Sequence, residues 1–364
     1  MTRRILLLLT DLKIGGTPTV VREIAVRLHR PPQVVVAVAC LDRWGPVADQ
    51  LKERGFPVTA LNAAGVYDVT AIWRLVKLIR GKGHSQHAAG GLSCFDTVLS
   101  FLLHANAAAA AVSPFCPGVR FLQSIQTTQA QPRWHWKVQQ LAQHAAEKIV
   151  VPSPSVADVA QKWAGVPAEK IVIIPNGVDL PSSPPIMRQP SHPHRIVFIG
   201  RLDPVKRLPD LLEAIALLQG YARLDIYGEG AERAVLGAKI RNANLGSLVT
   251  LHGTIATPAQ ALAGAELLVL PSEAEGFGLV LIEAMAAGVP VVATNAPGIR
   301  DVVRDGVTGI LVPVGSPTEL AAAIRSVLDD QLRRQSLIAA AYADVRRRFT
   351  WDAATGEYRQ LFRL

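Results

Sequence analysis

The sequence predicts an α/β chain of two doubly wound domains, each a parallel sheet covered on both faces by helices. Short continuous runs of Val, Ile and Leu alternate with helical patterns from end to end, which is typical of buried parallel strands. The 364 residues, 49% of them hydrophobic, exceed what one hydrophobic core usually holds. Residues 181–194 contain five prolines without periodicity, and they are predicted to link the two halves.

Thirteen apolar runs are predicted to be strands, because each is short and is followed by a turn or a helical pattern. In the first half they are residues 5–10, 34–39, 58–61, 97–102, 120–125, 149–152 and 171–174. In the second half they are residues 195–199, 224–227, 249–251, 267–270, 289–293 and 310–312. Two such sheets would leave a cleft at the carboxyl ends of their strands, where ligands bind in folds of this class.

The net charge of +9 is carried almost entirely by the first half of the chain. Residues 1–183 sum to +8 and residues 184–364 to +1. A basic face could meet nucleic acid, an anionic membrane or an acidic acceptor, or it could serve solubility alone. Few aromatic residues and no zinc-ligand spacing are present, so we expect no nucleic-acid partner. Peripheral contact with an anionic membrane stays an expectation.

The cysteines and the apolar runs indicate a cytoplasmic protein. Cys40, Cys94 and Cys116 show neither metal-ligand spacing nor a disulfide framework, which suits a reducing compartment. The apolar run 5–9 is too short for a signal peptide and is interpreted as the first buried strand. No apolar run reaches the roughly 18–20 residues that a membrane span needs. If the chain touches a membrane, we expect it to lie at the inner face.

The segment 69–82 is predicted to be an amphipathic helix. Its apolar face holds Val69, Ile72, Leu75, Val76 and Ile79, and its polar face holds Trp73, Arg74, Lys77 and Arg80. Two interpretations are open: a helix that covers the sheet and has a solvated back, or a surface helix that touches a membrane. Trp134 and Trp136, in a second basic and aromatic segment, favour the membrane interpretation.

Residues 271–294, PSEAEGFGLVLIEAMAAGVPVVAT, are the most informative region for function. A predicted strand runs into a Gly-rich acidic loop and then into a helix predicted over 277–287. Backbone N–H groups at the start of that helix would bind an anion. The residues that carry them are Gly276, Phe277, Gly278 and Leu279. Glu275 and Glu283 would suit hydroxyls of two neighbouring rings, which predicts a nucleotide sugar. The alternative is an ordinary βαβ turn with solvated carboxylates.

This region resembles the Glu-x7-Glu segment of the retaining glycosyltransferases of family 4, which have the GT-B fold. Further segments resemble motifs of the same family and follow in the family's order. They are KIGG at 13–16, IIPNGVD at 173–179, FIGRLDPVK at 198–206, YGEG at 227–230, LHG at 251–253 and GVTGILVP at 306–313. The resemblance therefore extends over nearly the whole chain.

The resemblance implies a division of labour between domains. Residues 1–183 would form the acceptor-side domain, residues 184–345 would bind the nucleotide sugar, and a final helix at 346–364 would cross back to the first domain. The enzyme would move a sugar from a nucleotide-sugar donor to a glycan, lipid-linked or small-molecule acceptor, with retention of anomeric configuration. It would need no cofactor and no metal, and no Asp-x-Asp pair is present in the sequence.

The resemblance also implies roles for individual residues. Arg201 and Lys206 would neutralise the departing diphosphate, as an Arg fork and a Lys point charge can. Glu275 would hold hydroxyls of the donor sugar, and Glu283 those of the ribose. The remaining donor contacts would come from Gly253 and Ile255 near the base, and from Gly15 and Gly16, where the backbone can approach a ligand.

Gln126 stands at or near the place where the family often has a His that meets the sugar. Gln forms hydrogen bonds but takes no proton, so the sugar contact differs here. Transfer survives this change if the departing phosphate accepts the proton. The alternative is a catalytically weak or inactive GT-B protein that only binds nucleotide sugar. His104 and Asn106 follow a predicted strand and are expected to contact acceptor or sugar, although His104 could equally cap a helix.

A dinucleotide-dependent oxidoreductase would share the doubly wound sheets and is the enzymatic alternative from another class. It would need a Gly-x-Gly-x-x-Gly turn after the first strand of a half. The segments LKIGGTP at 12–18 and GEG at 228–230 do not provide one. We therefore expect a glycosyltransferase.

Overall fold

The computed structural model describes residues 2–42, 44–65, 68–81, 94–182 and 191–364. It divides into two compact units, unit 1 with Met1–Pro175 and Ala354–Leu364, and unit 2 with Asn176–Ala353. The divisions fall at 175/176 and 353/354, whereas the sequence predicts 183/184 and 345/346. Most of the predicted linker, 183–190, lies outside the described residues.

Unit 1 contains a parallel sheet that has seven strands within the described residues. These are β1 (Arg3–Leu9), β2 (Val34–Cys40), β3 (Val58–Ala60), β4 (Thr97–Phe101), β5 (Arg120–Ser124), β6 (Lys148–Val151) and β7 (Ile171–Ile173). Their order is β3-β2-β1-β4-β5-β6-β7, and every pair is parallel. The order reverses between β1 and β4, and ligands bind at such switch points, beyond the carboxyl ends of the strands.

Helices cover the sheet of unit 1 and complete its core. They are α1 (Gly16–Leu28), α2 (Pro46–Glu53), α3 (Val69–Ile79), α4 (Leu103–Val112), α5 (Arg133–Ala142) and α6 (Pro154–Ala164). Leu6 and Leu8 of β1 share one buried cluster with Leu75 and Ile79 of α3. Burial of such apolar side chains stabilises each by roughly 1.5–3 kcal/mol. The packed helices therefore hold in place the strands whose carboxyl ends carry the polar loops.

Unit 2 contains a second parallel sheet, with six strands in its described part. These are β8 (His194–Ile199), β9 (Ala222–Tyr227), β10 (Val249–Leu251), β11 (Leu267–Leu270), β12 (Val291–Thr294) and β13 (Ile310–Val312). The order is β10-β9-β8-β11-β12-β13, again all parallel. The switch point lies between β8 and β11, so the loops after these two strands begin side by side.

The helices of unit 2 pack on both faces of its sheet around one large buried cluster. They are α7 (Leu208–Leu217), α8 (Arg233–Asn242), α9 (Pro258–Leu262), α10 (Leu279–Ala286), α11 (Pro317–Asp329) and α12 (Gln331–Arg348). The last helix, α13 (Trp351–Phe362), starts in unit 2, and its residues from Ala354 onward belong to unit 1.

A buried hydrogen bond between His194 and Glu266 joins the amino ends of β8 and β11. Glu266 lies 2.8 Å from Nδ1 of His194 and also accepts a hydrogen bond from Ser191 Oγ at 2.6 Å. Burial raises the pKa of Glu266, but hydrogen bonds from Ser191 and His194 outweigh it and hold the pKa below its ordinary value. The carboxylate therefore stays ionised and joins the two strands whose opposite ends carry the site.

The predicted fold class is confirmed, and each predicted strand is present with ends that differ by at most two residues. In the membrane-helix prediction two details are wrong. Val69, assigned to the apolar face of α3, is 64% exposed because it begins the helix beyond the edge of the core. Trp136 is 5% exposed and donates its Nε1–H to the backbone oxygen of Gln129, so it is a core residue.

None of the helices formed by the described residues combines the length and the apolarity that crossing a bilayer requires.

Candidate active site

Lys206 and Glu275 form an ion pair at the switch point of unit 2. Lys206 ends a 3₁₀ turn, Pro204–Lys206, after β8, and Glu275 lies in the loop after β11. Nζ of Lys206 donates to Oε1 of Glu275, which also accepts a hydrogen bond from Ser272 Oγ at 2.7 Å. Each side chain of the pair is 13% exposed, so salt and water screen their attraction less than at an open surface.

The backbone holds Glu275 in place from two sides. The N–H of Glu273 donates to the carbonyl of Val205 at 2.8 Å, which joins the two loops, and the N–H of Glu275 donates to Pro297 at 3.1 Å. Gly298 has φ +82°, and a Cβ there would lie 2.1 Å from the Glu275 carbonyl oxygen. Only glycine fits both that conformation and that approach. The position of the carboxylate is therefore set by the fold.

Arg201, the second predicted clamp residue, has a different environment from Lys206. Its side chain is 67% exposed and pairs with Asp203 at 2.9 Å. The backbone beneath it is fixed, because a Cβ on Gly228, which has φ +142°, would lie 1.9 Å from the carbonyl oxygen of Gly200. The N–H of Gly200 also donates to Tyr227 at 3.0 Å. The predicted clamp thus combines Lys206, which Glu275 holds in place, with Arg201, which is exposed.

Helix α10 begins at Leu279, two residues later than predicted, with Gly278 as its N-cap. Phe277 precedes the helix, and its buried ring packs edge-on against Phe349 with centroids 5.4 Å apart. Gly276, Gly278 and Leu279 are partly exposed at the helix start, as is Glu283 on an otherwise buried turn. The structure thus brings Glu275 and the N-terminus of α10 together, whereas binding by these groups stays a prediction.

The loop that carries Gly253 and Ile255 follows His252, whose ring is held by two contacts. His252 stacks on Tyr227, with ring centroids 4.3 Å apart, and its Nε2 lies 3.1 Å from Oδ1 of Asp225. Burial raises the pKa of Asp225, but hydrogen bonds from His252 and Arg195 outweigh it and lower the pKa below its ordinary value. Gly253 itself is exposed and Ile255 is partly buried.

Gly15 and Gly16 follow β1 at the switch point of unit 1. Gly15 is extended, with φ 171°, and a Cβ there would meet no atom closer than 3.8 Å. Neither its conformation nor its packing therefore requires glycine. The approach of a ligand to the backbone here, at the start of α1, stays a prediction.

His104 and Asn106 lie in the first turns of α4, on the other side of this switch point. His104 is partly exposed, and its ring centroid lies 6.4 Å from that of His135. Asn106 is fully buried and accepts a hydrogen bond from Ser100 Oγ at 2.8 Å. Its amide donates to the carbonyl of Ser124 and to Gln139 Oε1, at 3.1 and 2.9 Å. The predicted contact of Asn106 with a ligand would need this network to open.

Gln126 lies just beyond β5 and is partly buried. Its amide donates to Ser124 Oγ at 2.6 Å, and that hydroxyl donates to the carbonyl of Val150 at 3.1 Å. The side chain is therefore tied to the strand end by one nitrogen, and its amide oxygen stays as an acceptor.

No group of three or more His, Cys, Asp and Glu side chains suited to a metal ion occurs in the part of the chain that the structure describes.

Sequence reasoning missed Ser272, Gly298 and His252. Ser272 could have been found from its position at the end of a predicted strand, three residues before Glu275. His252 lies within the LHG segment at 251–253, but its stacking on Tyr227 and the approach of Gly298 to Glu275 are tertiary contacts that have no local signal.

Two family models match consecutive parts of the chain. The model described as Glycosyltransferase Family 4 matches residues 14–182, and that described as Glycosyl transferases group 1 matches residues 183–344. The two matches together extend over residues 14–344 and place the chain in the glycosyltransferase class by family. The chain belongs to family 4, the group 1 glycosyl transferases.

Curated relatives match over part of their length. D-inositol 3-phosphate glycosyltransferase of Paenarthrobacter aurescens (strain TC1) is 32% identical over 59% of this chain and 57% of its own. Phosphatidyl-myo-inositol mannosyltransferase of Mycobacterium leprae (strain TN) is 33% identical over 57% of this chain and 58% of its own. The chain thus spans a little more than half the length of these relatives in the matched region.

Solved structures match over the whole chain and show the fold. Anabaena Alr3699/HepE in complex with UDP and glucose has a TM-score of 0.84 at 21% identity and covers 99% of both chains. Sucrose-phosphate synthase (tll1590) from Thermosynechococcus elongatus has a TM-score of 0.82 at 22% identity, and covers 99% of this chain and 98% of that chain.

The different environments of the clamp residues predict different effects of their removal. Lys206→Ala leaves the shielded Glu275 carboxylate without its cation, which should cost about 1–3 kcal/mol of stability. The melting temperature should fall by roughly 2–4 °C for each kcal/mol. Arg201→Ala breaks an exposed pair and should leave melting within about 1 °C of wild type. Both variants should weaken UDP binding by roughly tenfold or more, because each loses a charge-assisted contact.

Melting curves and titration calorimetry with UDP measure both effects. Arg223→Ala, an exposed arginine on β9, is the matched control and should behave as wild type in both. Wild-type UDP affinity in either clamp variant would contradict the clamp, and an unchanged melting temperature in Lys206→Ala would contradict the structural role of the pair.

Proposed function

We propose that this chain is a retaining glycosyltransferase, which moves a sugar from a nucleotide-sugar donor to a glycan, lipid-linked or small-molecule acceptor without a metal ion. The observation that supports it best is the Lys206–Glu275 pair at the switch point of unit 2. It sets a cation suited to a diphosphate beside a carboxylate suited to sugar hydroxyls. The N-terminus of α10 follows within four residues.

In the proposed reaction the bond between the anomeric carbon and the diphosphate oxygen breaks, and a bond from the acceptor oxygen to that carbon forms on the same face. The acceptor proton passes to the departing diphosphate. Lys206 exchanges Glu275 for a diphosphate oxygen, and the exposed Arg201 turns to hold two oxygens. These charges stabilise the leaving group in the way that a divalent cation does in other transferases.

Glu275 then offers its carboxylate to hydroxyls of the donor sugar while Ser272 keeps hold of Oε1. Glu283, partly exposed on α10, accepts hydrogen bonds from the ribose hydroxyls. The backbone of Gly253 and Ile255 borders the base. The donor contact expected of Gly15 and Gly16 stays a prediction. Each of these roles follows the family resemblance and is consistent with the exposure of the residue named.

A weaker or inactive GT-B protein is the second candidate, and Gln126 is the observation that favours it. The family's histidine at this place can carry a proton, whereas a glutamine tied to Ser124 Oγ cannot. If the diphosphate accepts the acceptor proton, Gln126 needs only to form hydrogen bonds to the sugar. Measured turnover separates the two candidates.

The experiment that tests the proposal is release of UDP from UDP-glucose, chosen because one structural neighbour is a complex with UDP and glucose. Inositol phosphate, phosphatidylinositol and a crude glycan extract serve as acceptors, since two relatives are named for inositol acceptors. We expect acceptor-dependent turnover that persists in EDTA, and a product whose anomeric configuration by NMR matches the donor. An inverted product would contradict retention, and binding of UDP without turnover would favour the second candidate.

Glu275→Gln and Glu283→Gln divide the roles within the same assay. Glu275→Gln should lower turnover by tenfold or more without weakening the binding of UDP, since removal of a charged hydrogen bond made in the transition state costs about 1.5–3 kcal/mol. Glu283→Gln should mainly weaken binding of UDP. Glu319→Gln, an exposed carboxylate on α11, is the control. Equal losses of UDP affinity in both site variants would refute this division.

We also propose that α3 touches an anionic membrane. Its buried side packs on the sheet of unit 1, while Trp73 is 50% exposed and its ring lies tilted against that of the exposed Phe115, with centroids 5.3 Å apart. Lys77 is exposed beside them. An exposed aromatic pair beside cations is typical of surfaces that insert among lipid headgroups. The net +8 of residues 1–183 would add long-range attraction.

Flotation with acidic and neutral liposomes tests this surface. The wild type should float with acidic liposomes only, and the bound fraction should fall as salt rises, because charges are screened within about 8 Å at physiological salt. Trp73→Ser with Lys77→Glu should abolish flotation, whereas Lys52→Glu, on α2, should reduce it little. Flotation with neither liposome, or equally with both, would contradict the proposal.

A further inference from the structure

An exposed aromatic cluster lies at the carboxyl edge of the unit 1 sheet, where β4 and β5 end. It consists of Trp134, His135 and His104 and is called the Trp–His platform below. His104 is the second residue of α4, and Trp134 and His135 lie in the first turn of α5. The Trp134 and His135 rings meet edge to face at 4.1 Å, and the two imidazoles lie 6.4 Å apart.

The core does not account for the exposure of Trp134. Two residues further along α5, Trp136 is buried and its indole N–H has a backbone partner. The Trp134 indole is 52% exposed, although a tryptophan buries a large apolar area when it packs. Arg133, the nearest cation along the helix, lies over Trp163 instead. The platform therefore presents one indole and two imidazoles, and none of its three residues is a lysine or an arginine.

A buried amide network holds the two helices that carry the platform. Asn106, one half-turn beyond His104, donates to Gln139 Oε1, which lies one turn beyond His135 on α5. Gln139 donates to Gln123 of β5 at 2.8 Å, and Gln123 donates to the carbonyl of Ala142 at 2.7 Å. Side-chain amides that are satisfied in this way rigidify their surroundings. The rings of the platform are thus held at a set spacing, as a binding site requires.

The backbone at the start of α4 carries strain. Leu102, its N-cap, has φ +70° although it is not glycine. Such conformations cost on the order of 1–3 kcal/mol and tend to occur at functional sites. Here the strained residue directly precedes the turn that presents His104.

The chemistry of the platform suits an uncharged polyhydroxyl ring. The electron-rich face of an indole attracts the C–H groups that line one face of a pyranose. Burial, and then the charge of His104, lowers the pKa of His135, so its ring is neutral at pH 7. A neutral imidazole both donates and accepts hydrogen bonds, as neighbouring sugar hydroxyls do.

We propose that the Trp–His platform is an acceptor subsite that binds a pyranose ring, with Trp134 stacked on the ring and the two histidines bound to its hydroxyls. The proposal rests on the proposed function, since only a transferase has an acceptor. It narrows the acceptor class to molecules that contain a saccharide, and it makes Asn106 and Gln139 positioning residues for that subsite.

Saturation-transfer NMR with methyl α-D-mannopyranoside and maltose tests the proposal without any need for turnover. The variants are Trp134→Ala, Trp134→Phe and, as the matched control, Trp73→Ala, which removes an equally exposed tryptophan from α3. We expect transfer to the ring C–H protons in the wild type, the control and Trp134→Phe. In Trp134→Ala the affinity should fall roughly tenfold, which corresponds to about 1.4 kcal/mol.

Calorimetry with UDP on the same samples separates the two proposals. UDP affinity should be unchanged in all three variants, because the platform is not assigned to the donor. Glycoside binding that is absent in the wild type, equal in Trp134→Ala, or lost equally in Trp73→Ala would overturn the subsite. Insertion of Trp134 into phosphatidylglycerol vesicles, seen as a blue shift that Trp134→Phe removes, would also overturn it. Loss of UDP binding with glycoside binding intact would instead overturn the proposed function.

Discussion

The candidate site depends on one ion pair, between Lys206 and Glu275. It joins the loops after β8 and β11, the two strands at which the order of the unit 2 sheet reverses. In the proposed function, Lys206 compensates the charge of Glu275 in the free protein and binds a phosphate in the donor complex, where Glu275 binds the sugar hydroxyls. Ser272 then keeps the carboxylate in place. In this proposal one lysine links donor binding to the orientation of the carboxylate that binds the sugar.

The backbone around the pair limits how far the loops can move during the proposed exchange. Gly298 and Gly228 bring neighbouring loops within a distance that no Cβ would allow, so the frame around the pair cannot relax far when Lys206 changes partner. Arg201 differs, since its side chain is exposed above a fixed backbone. One cation that is held in place and one that can reorient would suit a diphosphate. Its negative charge must be stabilised when the donor binds and again when the diphosphate leaves. In unit 1 the buried hydrogen bonds of Asn106 likewise hold polar groups in fixed positions.

Much of the fold could be predicted from local sequence patterns, whereas several side-chain contacts could not. Buried parallel strands are continuous Val, Ile and Leu runs, so the strands and the α10 turn were predictable from the sequence. The Glu275 loop was predictable because its motif is contiguous in sequence. The pairing of Lys206 with Glu275 was not, since the residues are far apart in the chain and each also suits a ligand. The burial of Asn106 and Trp136 was not predictable either. Both occur in helical patterns where a polar or aromatic side chain could face the solvent or the core, and tertiary packing decides which side it faces.

The central claim is that Lys206 leaves Glu275 for the donor diphosphate. A double-mutant cycle of Lys206→Met and Glu275→Gln on thermal unfolding, with and without saturating UDP, tests it most directly. The account predicts a coupling energy of roughly 0.5–3 kcal/mol without UDP, as for other residues in contact, and a value near zero with UDP bound. The same coupling in both conditions, or none in either, would contradict the exchange.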